Sequence, residues 1–302
     1  MSIKNVAVIG AGTIGLSWTA LFANAGLNVT VSDPRPDLAD VVRDSMPELA
    51  ASLGSTAEKL LAQVTVSASL ADAVANADLV QENGPERLEF KQQLFADIAA
   101  AAPSHALLAS SSSGIVATLI AEKLDGDAAG RMLIAHPFNP PQLMPLVEIV
   151  PGERTLESAT LAAIDFYREL GKVPVREHQE IQGFVANRLQ AVVLKEAFSL
   201  VIQGVVSVEE LDTAMKASLG ARWATIGPFE SYHLGGGPGG IRHMFEHLGG
   251  NLTGGDSGVT EADVEKLIAD VERTYGAGPE AYAKLTAERD RKQLAVNAAV
   301  SD

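Results

Sequence analysis

Residues 6–33 constrain this chain more than any other stretch. The apolar run Val6-Ala7-Val8-Ile9 leads directly into Gly10-Ala11-Gly12-Thr13-Ile14-Gly15, then into a helical segment over 18–25, the second apolar run Val29-Thr30-Val31, and Asp33. Three glycines at this spacing are weak evidence alone, but between a strand and a helix each has a physical role. Gly10 permits a tight turn, Gly12 lets another group approach the backbone, and Gly15 lets helix and strand pack closely. The first-turn N–H groups of the helix then face an anion, which suits a pyrophosphate. Asp33, at the end of the second strand, accepts hydrogen bonds from ribose hydroxyls and repels a 2′-phosphate. The expected cofactor is therefore NAD rather than NADP, and Arg35 is the nearby cation that would soften that preference. The competing reading is that the glycines only shape a turn and Asp33 caps a loop.

The rest of the first half repeats the alternation of strand and helix. Further strands are expected at 79–80, 106–108, 132–134, 146–150 and 173–175, with a helix over 85–101 whose Pro85 fits a first turn. Strands separated by helices imply right-handed crossovers and a mainly parallel sheet. From about Gly183 the pattern becomes helical: 184–203, then 208–219 behind a Ser207 N-cap, 239–248, 261–275 and 279–294. The fold expected is α/β, a Rossmann-type mainly parallel sheet domain over residues 1–182, followed by an all-helical domain over 183–302. A chain of 302 residues accommodates two such domains. The glycine-rich stretches 235–240 and 249–258 are expected to be loops.

Composition closes off several functions. The net charge of −15, without any Lys/Arg cluster, argues against a nucleic-acid partner. With no cysteine there is no disulfide, thiolate nucleophile or Cys-ligated metal, and no metal site is expected. No apolar stretch is long enough to span a membrane, and no signal-type leader is visible, so a cytoplasmic protein is expected.

Four residues have the chemistry for alcohol oxidation. His136 ends a strand, where open α/β sheets place ligands, and begins the rigid turn His136-Pro137-Phe138-Asn139-Pro140-Pro141. Glu148 lies within the apolar run Leu146-Val147-Glu148-Ile149-Val150, where a carboxylate is costly to bury unless paired. A histidine oriented by a carboxylate is a base suited to a hydroxyl proton. Alternatively, Glu148 faces solvent from an edge strand and His136 is a turn residue. The run Ser110 to Ser113 either binds a substrate oxygen or caps the following helix. Asn187 opens the long helix at the domain junction, as a pocket residue or as a structural hydrogen-bonder.

These motifs, with Glu82-Asn83, Pro85-Glu86 and Gly183-Phe184-Val185-Ala186-Asn187-Arg188, resemble those of the 3-hydroxyacyl-CoA dehydrogenase superfamily from Ile3 to about Leu248. The resemblance implies His136 as general acid/base, Glu148 as its orienting carboxylate, and Ser113 and Asn187 as binders of the substrate oxygen. Ser112 takes the place of Ser113 if the alignment shifts by one. It also implies Glu82 beside the nicotinamide, and Lys91 where many members have a lysine. Within the superfamily the chain is most similar to the lambda-crystallin/L-gulonate 3-dehydrogenase branch and its L-carnitine dehydrogenase relatives. That likeness lies in Ser110 to Ser113, Val206-Ser207, Leu219-Gly220-Ala221-Arg222-Trp223, Gly227-Pro228-Phe229-Glu230 and Gly239-Gly240-Ile241-Arg242-His243.

The reaction implied is NAD-dependent oxidation of the 3-hydroxyl of a small hydroxy acid, gulonate-like or carnitine-like, to the ketone. The short, cation-poor segment 34–63 argues against an acyl-CoA substrate, so a short-chain 3-hydroxyacyl-CoA dehydrogenase is the second reading. A non-catalytic NAD-binding protein of crystallin type is the third. Arg222 and Arg242 either bind a substrate carboxylate or pair with a local acid such as Glu230 or Glu246. A homodimer through residues beyond 187 is expected.

Overall fold

The computed structural model describes residues 3–248 and 259–300, so the whole 249–258 stretch expected to be a loop lies outside the described residues. The chain divides into two compact units, 1–193 and 194–302.

The first unit alternates strand and helix as expected. Its elements are β1 (Asn5–Ile9), α1 (Thr13–Asn24), β2 (Asn28–Ser32), α2 (Leu38–Ser52), α3 (Ala57–Leu61), β3 (Val64–Ser67), α4 (Leu70–Val74), β4 (Leu79–Glu82), α5 (Leu88–Ala101), β5 (Leu107–Ser110), α6 (Ala117–Ile120), α7 (Gly126–Gly130), β6 (Met132–Pro137), β7 (Leu146–Pro151), α8 (Glu157–Glu169) and β8 (Val173–Arg176). A long helix, α9 (Val185–Ile202), begins in this unit.

The eight strands form one sheet in the order β3-β2-β1-β4-β5-β6-β7-β8. All neighbours are parallel except β6 and β7. Both faces are covered by helices. Val6 and Val8 join Trp18, Phe22 and Tyr167 in one core, while Ala7 and Ile9 join Phe95, Ile98 and Ile134 in the other. Burial on both faces is why β1 reads as a continuous apolar run.

Two expectations are corrected. Strand β3 is an addition to the expected strands: Thr65 and Val66 of this outer strand are exposed, so Val64-Thr65-Val66-Ser67 lacks an apolar face. Helix α5 begins at Leu88 rather than Pro85. The chain turns first: the Gly84 N–H donates to the Glu82 carboxylate (2.6 Å) and the Arg87 N–H to the Pro85 carbonyl (2.8 Å).

The chain passes from β1 to β2 on one side and later to β4 on the other, leaving a crevice beyond the carboxyl ends of β1 and β4, where such sheets bind ligands. The Gly10 turn and Asn83 meet there, since the Asn83 N–H donates to the Ile9 carbonyl (2.7 Å).

The second unit, which takes in the remainder of α9, is helical. It contains α10 (Val208–Met215), α11 (Ala221–Trp223), α12 (Pro228–Gly235), α13 (Gly240–Leu248), α14 (Glu261–Tyr275) and α15 (Gly278–Val300). Ser207 caps α10 as expected, in a reciprocal capping box with Glu210. Its buried apolar centre is Ile241, Ile268 and Val271.

Candidate active site

The glycine turn has the geometry its spacing implies. Gly10 lies at φ +98°, and a Cβ there would stand 2.9 Å from the Asn83 carbonyl oxygen, so only glycine fits without strain. A Cβ on Gly15 would come within 1.9 Å of the Gly10 carbonyl oxygen, so α1 packs directly on the turn. At Gly12, by contrast, a Cβ would meet nothing within 4 Å, which leaves the backbone approachable. Gly12 is the N-cap of α1 and provides no side-chain cap, so the first-turn N–H groups remain available to phosphate oxygens. The Asp33 carboxylate accepts from the Ala11 N–H (2.8 Å) and the Arg35 N–H (3.0 Å), which fixes it beside the turn. The Arg35 guanidinium is paired with Asp37 (2.8 Å). Gly10, Gly12, Thr13, Ile14, Gly15 and Asp33 thus fit NAD: an uncapped helix terminus for the pyrophosphate and a fixed carboxylate for a ribose.

A second set of groups braces the ends of β4 and β5. Glu82 and Lys91 are buried and pair with each other (Nζ–Oε1 2.8 Å), and the Ser110 hydroxyl also donates to Glu82 (2.5 Å). Glu86 holds the serine run. Its Oε1 accepts from the Ser112 hydroxyl (2.6 Å) and from the N–H groups of Ser113 (3.1 Å), Gly114 (2.9 Å) and Ile115 (3.2 Å). Burial raises the Glu86 carboxyl, but the Ser112 hydroxyl, the Lys91 ammonium and the Gly114 and Ile115 N–H groups outweigh it and bring the group below the usual carboxylate range. Ser112 is therefore buried and turned to Glu86, whereas Ser113 is exposed.

The antiparallel register of β6 and β7 sets His136 directly opposite Glu148, which puts both side chains on one face of the sheet. Strand β8 covers β7, so Glu148 is not on an edge and is only 2% exposed. His136 Nδ1 lies 2.7 Å from Glu148 Oε2. A carboxylate accepts hydrogen bonds, so Nδ1 carries the proton and Nε2 is left as the base. Burial raises the Glu148 carboxyl, but hydrogen bonds from His136 and the Ala186 N–H (2.8 Å) outweigh it and bring the group below the ordinary range. Phe184, fully buried at φ +49°, lies against the imidazole with ring centroids 5.4 Å apart.

A cavity of about 490 Å³ opens here, lined by Ile14, Ser111, Ser113, His136, Pro137, Phe138, Asn139, Asn187 and Gln190. Asn187 Nδ2 donates to the Ser113 carbonyl oxygen (3.4 Å), tying the start of α9 to the serine run. One cavity wall therefore joins the glycine-turn residue Ile14 to Ser113, His136 and Asn187.

Sequence reasoning did not single out Gln190 or Glu177. Gln190 follows Asn187 by three positions, so helical spacing would have placed it on the same face. Glu177, just after β8, carries no local signal. Arg222 is exposed in the second unit. Arg242 pairs with Glu265 (2.8 Å) and Glu272 (3.2 Å) rather than with the Glu230 or Glu246 expected from sequence.

Two family models match the chain. The 3-hydroxyacyl-CoA dehydrogenase NAD-binding domain matches residues 5–181, and the C-terminal domain of the same family matches 183–269. An L-carnitine dehydrogenase of Nocardiopsis dassonvillei is 39% identical, covering 100% of this chain and 93% of that protein. A 3-hydroxyacyl-CoA dehydrogenase of Gibberella moniliformis is 38% identical, covering 98% and 95%. Among solved structures, 5-formyl-3-hydroxy-2-methylpyridine 4-carboxylic acid 5-dehydrogenase aligns with a TM-score of 0.74 at 30% identity, over 98% of both chains. A 3-hydroxyacyl-CoA dehydrogenase of Archaeoglobus fulgidus aligns at 0.71 and 27% identity, over 95% of this chain and 97% of that one.

Proposed function

The chain belongs to the 3-hydroxyacyl-CoA dehydrogenase family and is an NAD-dependent oxidoreductase; on that premise we propose that His136 is its catalytic base and a small free 3-hydroxy acid of carnitine type its substrate. The observation that carries the first part is the His136–Glu148 pair, 2.7 Å apart, on the wall of the cavity that also holds Ser113 and Asn187. NAD, when bound at the glycine turn, supplies the hydride acceptor. Oxidation of the alcohol also requires a destination for the hydroxyl proton. His136 Nε2 takes it, and Nδ1–H remains bonded to Glu148, whose negative charge supports the imidazolium. The Ser113 hydroxyl and the Asn187 amide hold the substrate oxygen, and in the reverse direction His136 returns the proton. Phe138 and Phe184 exclude water from one side of the imidazole.

Two observations favour a free acid over an acyl-CoA. L-carnitine dehydrogenases recur among the relatives at 36–39% identity. Of the three cations in segment 34–63, Arg35 is paired with Asp37, and Arg43 with Asp40 and Asp44, which leaves little positive charge for a nucleotide. Of the two candidate arginines, Arg242 is already held by two glutamates, whereas Arg222 is exposed. The sheet domain, over 1–182, binds the cofactor, and the helical domain over 183–302 carries dimer contacts. The lack of cysteine suits a reducing cytoplasm. No helix among the described residues is long and apolar enough to cross a membrane.

The test is His136→Ala, assayed with NAD against carnitine, gulonate and 3-hydroxybutyryl-CoA. Loss of general-base catalysis should lower kcat by about 10²–10⁴ with NADH binding unchanged, and carnitine should be the fastest of the three for wild type. Near-wild-type turnover by the variant would end the His136 assignment, and highest kcat/KM on the thioester would end the free-acid one. Tight NADH binding with no turnover on any of the three would favour the crystallin-type reading.

A further inference from the structure

Glu177 is a buried acid that the reaction as described leaves without a role. It follows β8, is 5% exposed, and its Oε1 accepts the Val185 N–H (2.7 Å). The next amide along, that of Ala186, donates to Glu148 Oε1 (2.8 Å). The N-terminus of α9 thus holds two carboxyl groups side by side, on consecutive N–H groups, in a place where water has little access. They are close enough to hydrogen-bond to one another. Yet Glu177 Oε2 is buried and faces no N–H or O–H donor. Two ionised carboxylates in contact would repel, and that oxygen would remain both desolvated and unpaired.

We propose that Glu177 is a carboxylic acid at working pH, that its Oε2–H donates to Glu148, and that it is a positioning residue in a chain Glu177–Glu148–His136. The inference rests on the assignment of His136 as the base. The titratable groups that bear on Glu177 are Glu148 on β7 and His136 on β6, and α9 bonds to it through the Val185 N–H. The proton belongs on Glu177 rather than Glu148. Glu148 receives hydrogen bonds from His136 Nδ1–H and the Ala186 N–H and lies beside the site where positive charge develops, whereas Glu177 receives only one backbone bond. Burial raises the Glu177 carboxyl and the neighbouring Glu148 charge raises it further, against the lowering effect of the Val185 N–H.

The arrangement meets a specific requirement of the chemistry. Glu148 must stay ionised to support the imidazolium, but a second negative charge beside it would hold the imidazolium so firmly that little neutral base remained. A neutral donor satisfies Glu148, fixes its rotamer and keeps the pair at a single negative charge. Glu177 itself makes and breaks no bond to substrate. The hydroxyl proton goes to His136 Nε2, and the Glu177 proton stays between the two carboxyl groups.

Glutamine mimics the acid closely, since its Oε1 can accept the Val185 N–H and its Nε2 can donate to Glu148. Glu177→Gln should therefore leave the acid limb of the kcat/KM profile for oxidation within about 0.3 unit of wild type. Glu177→Ala, which removes the donor, should move that limb to higher pH by about half a unit or more, with the glutamine variant as the rescue. Independently of turnover, the infrared difference spectrum of wild type minus Glu177→Gln at neutral pH should contain a protonated-carboxyl C=O band. If that band is absent, or if Glu177→Gln shifts the limb down by about a unit as loss of a charge would, the proposal is overturned. If Glu177→Ala does not fold, the glutamine variant and the spectrum still decide it. Retained turnover in His136→Ala would instead overturn the catalytic reading, and the carboxyl band would then decide the Glu177 proton by itself.

Discussion

Charge placement decides most of what individual side chains do here. Glu148→Gln keeps the size of the group opposite His136 but removes the charge that supports an imidazolium; kcat should fall by about 10²-fold or more with KM for NAD unchanged, measured by varying NAD at saturating substrate. Lys172 shows the opposite effect of burial. Its Nζ donates to the carbonyls of Pro141 and Met144 (the latter 2.8 Å) and sits 5.7 Å from the Trp18 ring, bracing the segment that follows His136. Burial pulls its ammonium from 10.5 down to about 8. Below pH 8 folded and unfolded chains both hold the proton. Between about 8 and 10.5 the unfolded chain holds a proton the folded one has released, so Lys172 makes stability rise with pH across that window. Subtracting the unfolding free energy of Lys172→Met from that of wild type, pH by pH, should display the rise; a flat difference would contradict it. At this scale the sequence offered His136, Glu148, Ser113 and Asn187 as candidates, with Ser112 in place of Ser113 if the alignment shifts by one. Only the side chain of Glu86, arriving from the loop before α5, settles which hydroxyl is buried and which lines the cavity.

The elements join these groups through backbone geometry. A methyl on Gly15 would stand 1.9 Å from the Gly10 carbonyl oxygen, so Gly15→Ala must push α1 off the turn. It should cost about 1–3 kcal/mol of stability and weaken NADH binding more than substrate binding, by denaturant titration and fluorescence respectively. The glycine turn was legible because every part of it is local: strand, turn, helix and the following Asp33 lie within 28 consecutive positions, 6–33. The same locality made the Ser207 cap and the bounds of α14 readable. Where locality ended, so did the reading. Strand β3 has no apolar period of its own and is specified by pairing with β2, and α5 starts three residues later than its proline suggested because Glu82 and Gly84 bond to each other first.

For the whole molecule, α9 is the informative surface. None of its residues is buried, and Leu189, Val192, Phe198 and Ile202 are 60%, 68%, 58% and 83% exposed. An apolar surface of that extent supports the proposed homodimer. Ile202→Asp should shift the mass in light scattering from two chains to one, and a wild-type monomer would refute the idea. The sequence by itself determined the cofactor unit, the alternation of strands and helices in the first half apart from β3, the change to helices near Gly183 and the family, since each depends on residues close together in the chain or on motifs in series. Only the tertiary structure decided that His136 and Glu148 stand opposite each other, because that requires β6 and β7 to run antiparallel inside a parallel sheet. It alone brought Glu177 to Glu148. Those two carboxyl groups are 29 positions apart (148 to 177) and meet only because the end of β8 lies beside Glu148 of β7 and the first two N–H groups of α9 bond to both. Proximity across a sheet is set by strand order and register, which no short stretch of sequence encodes.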